Sequence, residues 1–183
     1  MTNDSVKDTI NAAADEVWKT LSSFRNVEKY IPLIKSSMVE GSGVGAKRTC
    51  IIPSESGQEG KIEEEIKSFD DDAKTFSYSI TSSPLPVENY LGTLKVKDIG
   101  NGRCEVEWSS TFEPKGMPEE DVAKMINDIY VTAIDGLMKL HNGYTVRIKC
   151  KRKKMETDYF FLAALSSPSP MIVYPTIIIP IKE

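Results

Sequence analysis

Two charged residues on neighbouring predicted strands have the types and spacing that could do chemistry in an apolar interior. In the run KIEEEIKS, alternation with the flanking isoleucines places Glu64 on the inward face, between two glutamates that face water. In AKRTCII, Arg48 shares a face with Cys50 and Ile52. A buried carboxylate tends to take up a proton unless a cation stabilises it, so Arg48 would keep Glu64 charged. Glu64 could then anchor a ligand or transfer a proton, whereas a register shifted by one residue would turn it to water.

Other kinds of reactive site find little support among the residues. The three cysteines, Cys50, Cys104 and Cys150, are far apart in the sequence, and no CxxC pair is present. With His141 as the single histidine, we expect no metal site, no cofactor and no disulfide framework. His141 lies near the end of a predicted helix, where a positive charge is favoured, and we interpret it as a capping residue. A Ser-His-Asp or Cys-His arrangement cannot be assembled around a histidine in that place.

The composition indicates a globular protein with a hydrophobic core. Apolar residues make up 40% and charged residues 27% of the 183 residues, as in an ordinary folded domain. The net charge of −4 argues against nucleic-acid binding, which needs a positive field. The N-terminal run MTNDSVKDTI lacks the pattern of a secretory signal, and no stretch of about 18 apolar residues predicts a membrane span. We therefore expect a cytoplasmic protein. The sequence does not indicate the number of subunits.

The elements that must position the charged pair are short strands followed by one long helix. Residues 4–10 are predicted to form a strand, AADEVWKTLSSF an amphipathic helix and NVEKYIP a second short helix. Six short runs then follow between residues 34 and 114, separated by turn residues as in a chain of hairpins. In one of them, TFSYSITS, three apolar residues alternate with serine and threonine, as in an antiparallel sheet with one buried face.

The last regular element is the long helix. From Glu119 to Asn142 the apolar residues recur with helical spacing. Pro118 suits the first turn, the acidic residues after it suit the positive end, and Asn142 with Gly143 suits the stop. About 24 residues at 1.5 Å each give roughly 36 Å, enough to cover a curved sheet. The order strand, two small helices, six strands and long helix indicates an α+β domain.

The order of these elements and several motifs are similar to those of a known family. The matching motifs are INAAADEVWKTLSSFRNVEKYIPLIKSS, GSGVGAKRT, PLPVENYLGTL and VEWSSTF before the long helix, over about residues 4–143. With them the chain resembles the polyketide cyclase/dehydrase branch of the START-like superfamily, whose helix-grip fold is shared with birch pollen allergens and plant abscisic acid receptors. The resemblance implies a curved seven-stranded antiparallel sheet around a long C-terminal helix, with two short helices and an apolar cavity between sheet and helix.

The resemblance also implies where the cavity opens. Two rim loops fall on IPSESGQEG and SPLPVENY, and the prolines of the second preshape it and hold Leu85 and Val87 near the cavity mouth. An ordinary strand connection is the alternative interpretation of that loop. The first loop lacks the Ser-Gly-Leu-Pro gate of the abscisic acid receptors, and their ligand-anchoring lysine falls on Ile31. Both departures argue against a receptor of that kind.

Family resemblance and strand alternation agree on most of the expected site. Both place Glu64 in the pocket. On the last strand they conflict, because the resemblance points Glu107 inward whereas alternation points Trp108 inward. A bulge in that strand would reconcile the two assignments. The receptors have a larger polar residue at Ala133, so we expect a roomier and drier pocket. The catalytic residues of an enzyme stay open, with Glu64 as a candidate. The predicted ligand-binding residues are Arg48, Cys50, Ile52, Glu64, Phe76, Tyr78, Ile80, Leu85, Val87, Tyr90, Met125, Ile129 and Ala133.

Residues 144–183 are a C-terminal extension beyond the ligand-binding domain predicted for residues 1–143. The extension has a basic run at residues 149–154 and then apolar segments interrupted by prolines. Contact with a membrane surface is one interpretation, because basic residues beside Phe160 and Phe161 attract anionic lipid. A strand or loop folded over the domain, or sequence foreign to it, are the other two. We assign the extension no functional role.

Two main classes of function fit these observations. The first is binding or carriage of a small hydrophobic ligand, such as a lipid, sterol or polyketide-like compound. The second is an enzyme, a cyclase or dehydratase in which Glu64 or a tyrosine moves a proton. With one pocket carboxylate and no second matched acid or base, we favour binding. An interaction module with a vestigial cavity is a third alternative, since function lies in the site and not in the fold.

Overall fold

Seven antiparallel strands, one long helix and two short helical elements make up residues 1–53 and 59–142, the part of the chain that the computed structural model describes. In chain order they are strand β1 (Thr2–Ile10), helix α1 (Ala14–Ser22), a 3₁₀ turn (Val27–Lys29), strands β2 (Ser36–Glu40), β3 (Lys47–Ile52), β4 (Gly60–Asp70), β5 (Thr75–Ser82), β6 (Val87–Gly100) and β7 (Arg103–Pro114), and helix α2 (Glu119–Asn142). The predicted helix-grip architecture is confirmed.

The strands form one sheet in the order β1-β7-β6-β5-β4-β3-β2. Strands β2 to β7 run as successive hairpins, and glycine or asparagine at positive φ forms the turns between β2 and β3 and between β6 and β7. Helix α1 and the 3₁₀ turn carry the chain from β1 at one edge to β2 at the other. Strand β1 then pairs with β7 along its whole length, from Thr2 opposite Phe112 to Ile10 opposite Cys104. The last strand thus lies beside the first.

Irregularities in the sheet help to bend it around the long helix. The pairing of β4 with β5 shifts register twice, and that of β6 with β7 shifts between Glu88 and Leu91. At the latter shift Asn89 adopts a φ of 51°, a left-handed conformation that asparagine tolerates better than most residues. Such bulges increase the local twist and bend of a strand. The buried Tyr90 lies within this irregularity.

Helix α2 packs an apolar face against the sheet, mainly on β1. Its fully buried residues recur at helical spacing: Val122, Ile126, Tyr130, Ala133, Ile134 and Leu137. Leu140 fits the same spacing but is 44% exposed, so the buried face ends before the helix does. The helix backbone at Gly136 lies very close to the backbone of Tyr30, which fixes the position of the helix. A Cβ at Gly136 would lie 2.0 Å from the Tyr30 carbonyl oxygen.

Parts of the expected organisation lie outside the described residues. The C-terminal extension at residues 144–183, with its basic run, is one of them, and residues 54–58 of the first rim loop are another. Of the helices in the described part of the chain, none combines the length and the apolar character needed to cross a bilayer.

Candidate ligand site

A buried ion pair forms the polar floor of the space between sheet and helix. Arg48 on β3 lies directly opposite Glu64 on β4, and their side chains both point inward with 4% and 8% exposure. The Arg48 Nε donates to Glu64 Oε2 at 2.6 Å. Alternation in KIEEEIKS predicts this orientation, since the flanking Ile62 and Ile66 are buried on the same face.

Further contacts hold the arginine in place. Its guanidinium lies 3.9 Å from the centre of the Phe24 ring, a cation–π contact, and its Nη1 donates to the Phe24 carbonyl oxygen at 3.5 Å. Burial disfavours the charged form of Arg48, but the neighbouring Glu64 carboxylate outweighs this and raises the pKa of Arg48. A buried pair of opposite charges is tolerated when it is bonded in this way.

The same buried environment keeps the neighbouring Cys50 and Tyr30 side chains protonated. Burial, and after it the Glu64 charge, raises the pKa of the Cys50 thiol to about 12, and the thiol contacts Glu64 Oε2 at 3.7 Å. Burial also raises the pKa of Tyr30 to about 12. Both groups are therefore neutral near neutral pH, and Cys50 is not a reactive thiolate.

A chain of hydrogen-bonded tyrosine hydroxyl groups begins beside the ion pair, with the centre of the Tyr78 ring 5.9 Å from the Arg48 guanidinium. The Trp108 indole Nε1 donates to the Tyr78 hydroxyl at 3.0 Å. The Tyr78 and Tyr90 hydroxyls lie 3.1 Å apart, and the Tyr90 and Tyr130 hydroxyls 2.5 Å apart. Three strands and helix α2 thus meet in one polar chain. Trp108 and Tyr130 also stack, with ring centroids 5.4 Å apart.

The three hydrogen-bonded tyrosines, Tyr78, Tyr90 and Tyr130, stay protonated near neutral pH. Burial raises the pKa of Tyr78 and of Tyr90 well above its usual value, and that of Tyr130 to about 12. Each hydroxyl can therefore both donate and accept a hydrogen bond. Gly92 positions the first of them, because a Cβ there would lie 2.6 Å from the Tyr78 ring, which rests over the missing side chain.

The ion pair and the tyrosine chain enclose a small inner cavity of about 60 Å³. The inner cavity is lined by Ile31, Leu33, Ile34, Arg48, Ile62, Glu64, Tyr78, Ile80, Leu85, Tyr90, Trp108, Ile126, Ile129 and Tyr130. Seven of the thirteen predicted ligand-binding residues are among them.

A larger outer groove of about 590 Å³ lies between helix α2 and the loops beside it. Its floor is mostly apolar and its rim carries charged residues of the helix. The outer groove is lined by Ile31, Leu33, Ile52, Leu85, Asp121, Lys124, Met125, Asp128, Ile129 and Thr132. Four of these also line the inner cavity, namely Ile31, Leu33, Leu85 and Ile129, so the two spaces share a boundary.

The proline-containing loop places Leu85 at this boundary. The Leu85 N–H donates to Ser83 Oγ at 2.9 Å, and the Lys115 N–H donates to the Pro86 carbonyl oxygen at 2.9 Å. These bonds and the two prolines hold the loop in one shape. Leu85 is half-buried and lines both the inner cavity and the outer groove.

Some predicted residues lie elsewhere in the structure. Phe76 packs among the rings of Trp18, Phe24 and Phe69, and Ala133 is fully buried in the core, so neither adjoins the two spaces. The expected effect of Ala133 on pocket size is therefore wrong, because large aromatic side chains on other elements fill the interior. Cys50 touches Glu64 from outside the inner cavity, and Val87 pairs with Pro114 at the start of β6.

Two polar candidates are corrected by the geometry. Glu107 stands opposite Lys7 and Lys95 in regular pairing, on the outer face of the sheet, so alternation and not the family resemblance gives its direction. Burial lowers the pKa of His141, contrary to the positive charge expected at the helix end. Within residues 1–53 and 59–142, His, Cys, Asp and Glu side chains form no group of three that could hold a metal ion.

Sequence reasoning missed Trp108 and Tyr130 as members of the site. The signal was available, since alternation places Trp108 inward and helical spacing places Tyr130 on the buried face of α2. Neither pattern says which inward residues from distant elements meet. Only the packed structure brings their polar atoms within hydrogen-bond distance of Tyr78 and Tyr90.

Comparison with known proteins agrees with the observed fold. The family model described as polyketide cyclase/dehydrase and lipid transport matches residues 1–141. The chain belongs to this family. Comparison of the polyketide cyclase/dehydrase and lipid transport domain with the curated proteins finds no match.

Solved structures share the fold of this polyketide cyclase/dehydrase and lipid transport domain. The protein XoxI from Bacillus cereus is 29% identical with a TM-score of 0.69, over 78% of this chain and 97% of that one. An uncharacterised protein from Bacillus thuringiensis is 28% identical with a TM-score of 0.68, over 76% and 98%. Ara h 8.0201, at 16% identity and a TM-score of 0.63 over 76% and 96%, shares the fold alone.

Proposed function

We propose that this protein binds a small hydrophobic molecule, such as a lipid, sterol or polyketide-like compound, between the sheet and helix α2. The observation that carries the proposal is the outer groove of about 590 Å³, which adjoins the inner cavity that holds Arg48 and Glu64. Ligand sites in proteins typically have a volume of about 300–1,000 Å³, apolar walls and a few fixed polar groups. The family, whose description includes lipid transport, is consistent with this use of the fold.

The polar groups favour binding over catalysis. A cyclase or dehydratase would need Glu64 or a tyrosine to move a proton. Glu64 Oε2 already accepts the Arg48 hydrogen bond. Burial raises the pKa of Tyr130 to about 12, so this hydroxyl does not act as a base near neutral pH. The arrangement suits recognition of a ligand by fixed hydrogen bonds.

Substitution of Ile129 tests the location of the site. Ile129 lines both the inner cavity and the outer groove. The variant Ile129→Trp should fill part of this space and weaken the binding of the neutral fluorescent probe Nile red by about tenfold, which corresponds to about 1.4 kcal/mol. Fluorescence titration of the probe measures the effect. Native mass spectrometry of the purified protein would show whether a small molecule copurifies.

A matched control lies on the same helix. Val131 is 43% exposed and borders neither space, so Val131→Trp should bind Nile red as the parent does. Equal binding by the parent and by Ile129→Trp would show that the groove is not the site. Turnover of a substrate that Glu64→Gln abolishes without weakening substrate binding would favour the enzyme over the carrier.

A further inference from the structure

The inner cavity is electrically balanced, and its arginine is already engaged. Arg48 carries one positive charge and Glu64 one negative charge, and they bond to each other at 2.6 Å. One face of the guanidinium lies over the Phe24 ring, and its Nη1 donates to the Phe24 carbonyl oxygen at 3.5 Å. An incoming carboxylate would have to take Arg48 from Glu64 and leave two like charges in a buried space. The inner cavity therefore disfavours an anion.

The hydroxyl chain leaves one proton for another partner. Trp108 supplies the proton of its own bond to Tyr78. The Tyr78–Tyr90 and Tyr90–Tyr130 bonds use one hydroxyl proton each, so of the three tyrosine protons one remains. The hydroxyl bonds can run in either direction, and a ligand oxygen beside Tyr78 selects the one in which Tyr130 donates to Tyr90 and Tyr90 to Tyr78. The remaining proton is then available at the inner cavity. The inner cavity then offers a hydrogen-bond donor at Tyr78 and an acceptor at Glu64.

The sizes of the two spaces divide the ligand into two parts. A cavity of about 60 Å³ accommodates only a small group, whereas the outer groove of about 590 Å³ accommodates an extended apolar body. The rim of the outer groove carries two carboxylates, Asp121 and Asp128, and one ammonium group, Lys124. This excess of negative charge also favours a neutral ligand over an anionic one.

We infer, on the basis of the proposed function, that the ligand class is an uncharged amphiphile that ends in a hydroxyl group. The hydroxyl lies in the inner cavity, donates to Glu64 and accepts from the Tyr78 hydroxyl. The apolar body lies in the outer groove and crosses the shared boundary beside Leu85 and Ile129. A hydroxyl group is suited to this place because it donates and accepts at the same oxygen, which neither an ether nor a carboxylate does.

Three ligands of similar length test this inference on the unmodified protein. Displacement of Nile red should show that decan-1-ol binds roughly tenfold more tightly than 1-methoxynonane, the scale of one charge-assisted hydrogen bond. The ether has the same number of heavy atoms and accepts a hydrogen bond but does not donate one. Decanoate should bind more weakly than either at neutral pH. Binding of the ether or of decanoate as tightly as the alcohol would overturn the inference and leave the proposed function standing.

Two variants test whether the Arg48–Glu64 pair causes the preference for the alcohol over the ether and decanoate. In Glu64→Gln, Arg48 loses its anionic partner, so decanoate should bind roughly tenfold more tightly than it does to the parent. The double variant Arg48→Met/Glu64→Leu should keep the fold, because replacement of a buried ion pair by apolar residues of similar volume is often neutral or stabilising, and circular dichroism checks this. In this variant the alcohol and the ether should bind equally. A preserved preference for the alcohol would overturn the assignment. If Nile red does not bind the parent at all, the proposed function and the inference both fail.

Discussion

Individual residues in this protein acquire their chemistry from burial. Glu63, Glu64 and Glu65 are consecutive and chemically alike, yet only Glu64 faces the interior, where it meets Arg48. The neighbouring glutamates are bonded to exposed lysines of their own strand. Exposed pairs of that kind contribute little to stability, whereas breaking a buried pair by removing one partner costs about 3–5 kcal/mol. The position of a charge relative to the sheet therefore decides its role.

The buried tyrosines predict a loss of stability at high pH. Burial raises the pKa of Tyr30 and of Tyr130 to about 12, above the ordinary value of 10.0. Below the ordinary pKa both the folded and the unfolded chain hold these protons, and the stability is fully present. Between about pH 10 and 12 the unfolded chain releases them while the folded chain keeps them. The free energy of unfolding should then fall by about 1.4 kcal/mol per pH unit for each such tyrosine.

Denaturant unfolding at a series of pH values measures this slope. The variant Tyr130→Phe should reduce the slope of unfolding free energy against pH by about 1.4 kcal/mol per pH unit, the contribution of one tyrosine. The buried Cys50 thiol, whose pKa is likewise raised to about 12, adds to the slope in the same direction and is unchanged in that variant. Ultraviolet absorbance of tyrosinate gives a second readout. Ionisation of all seven tyrosines near their ordinary pKa in the folded protein would contradict the prediction.

The position of helix α2 depends on one close contact between Gly136 and the backbone of Tyr30. Gly136 sits in the interior of the helix, where glycine is less favourable than alanine by about 1 kcal/mol. The structure explains this choice, since a Cβ at Gly136 would meet the Tyr30 backbone, with the carbonyl oxygen at 2.0 Å. Backbone atoms cannot rotate away as a flexible side chain could. The glycine therefore sets the distance between α2 and the segment that follows the 3₁₀ turn.

Gly136→Ala should destabilise the protein although alanine is the better helix former. We expect a net loss of about 1–3 kcal/mol, the usual cost of overpacking, measured by denaturant unfolding. Asp135→Ala is the matched control, because Asp135 is the exposed neighbour on the same helix and its replacement should change stability by at most about 0.5 kcal/mol. A neutral or stabilising Gly136→Ala would mean that α2 lies further from Tyr30 than in this structure.

At the scale of the whole molecule, the described part of the chain closes its own core. Strand β1 pairs with β7, and helix α2 covers the inner face beside them. We propose on this ground that residues 1–143 form the ligand-binding domain and that residues 144–183 are an addition to it. Every strand of the sheet and the whole buried face of α2 precede residue 143.

A chain that ends at Gly143 should therefore fold without the extension. We expect cooperative thermal unfolding by circular dichroism and Nile red binding equal to that of the full chain. The full-length protein at the same concentration is the reference. Loss of a cooperative transition on truncation would place the extension in the core, where its PTIIIPI run would be a covering strand.

The sequence by itself determined the features that depend on local periodicity. Alternation in TFSYSITS and KIEEEIKS gave each residue its face of the sheet, and the helical period gave α2 its bounds, Glu119–Asn142. The Arg48–Glu64 pair could also be predicted, because hairpin neighbours with inward charges at matching positions meet across one strand boundary. Such features involve residues that are close in the chain or joined by one turn.

Only the tertiary structure decided the size and shape of the candidate site. Tyr78, Tyr90, Trp108 and Tyr130 come from three strands and a helix, and their converging rings reduce the inner cavity to about 60 Å³. The same packing places Phe76 and Ala133 away from it, although their periodicity matches that of residues that line it. A residue's face follows from its own strand or helix, whereas the space left between faces depends on the side-chain volumes and relative placement of all the elements around it.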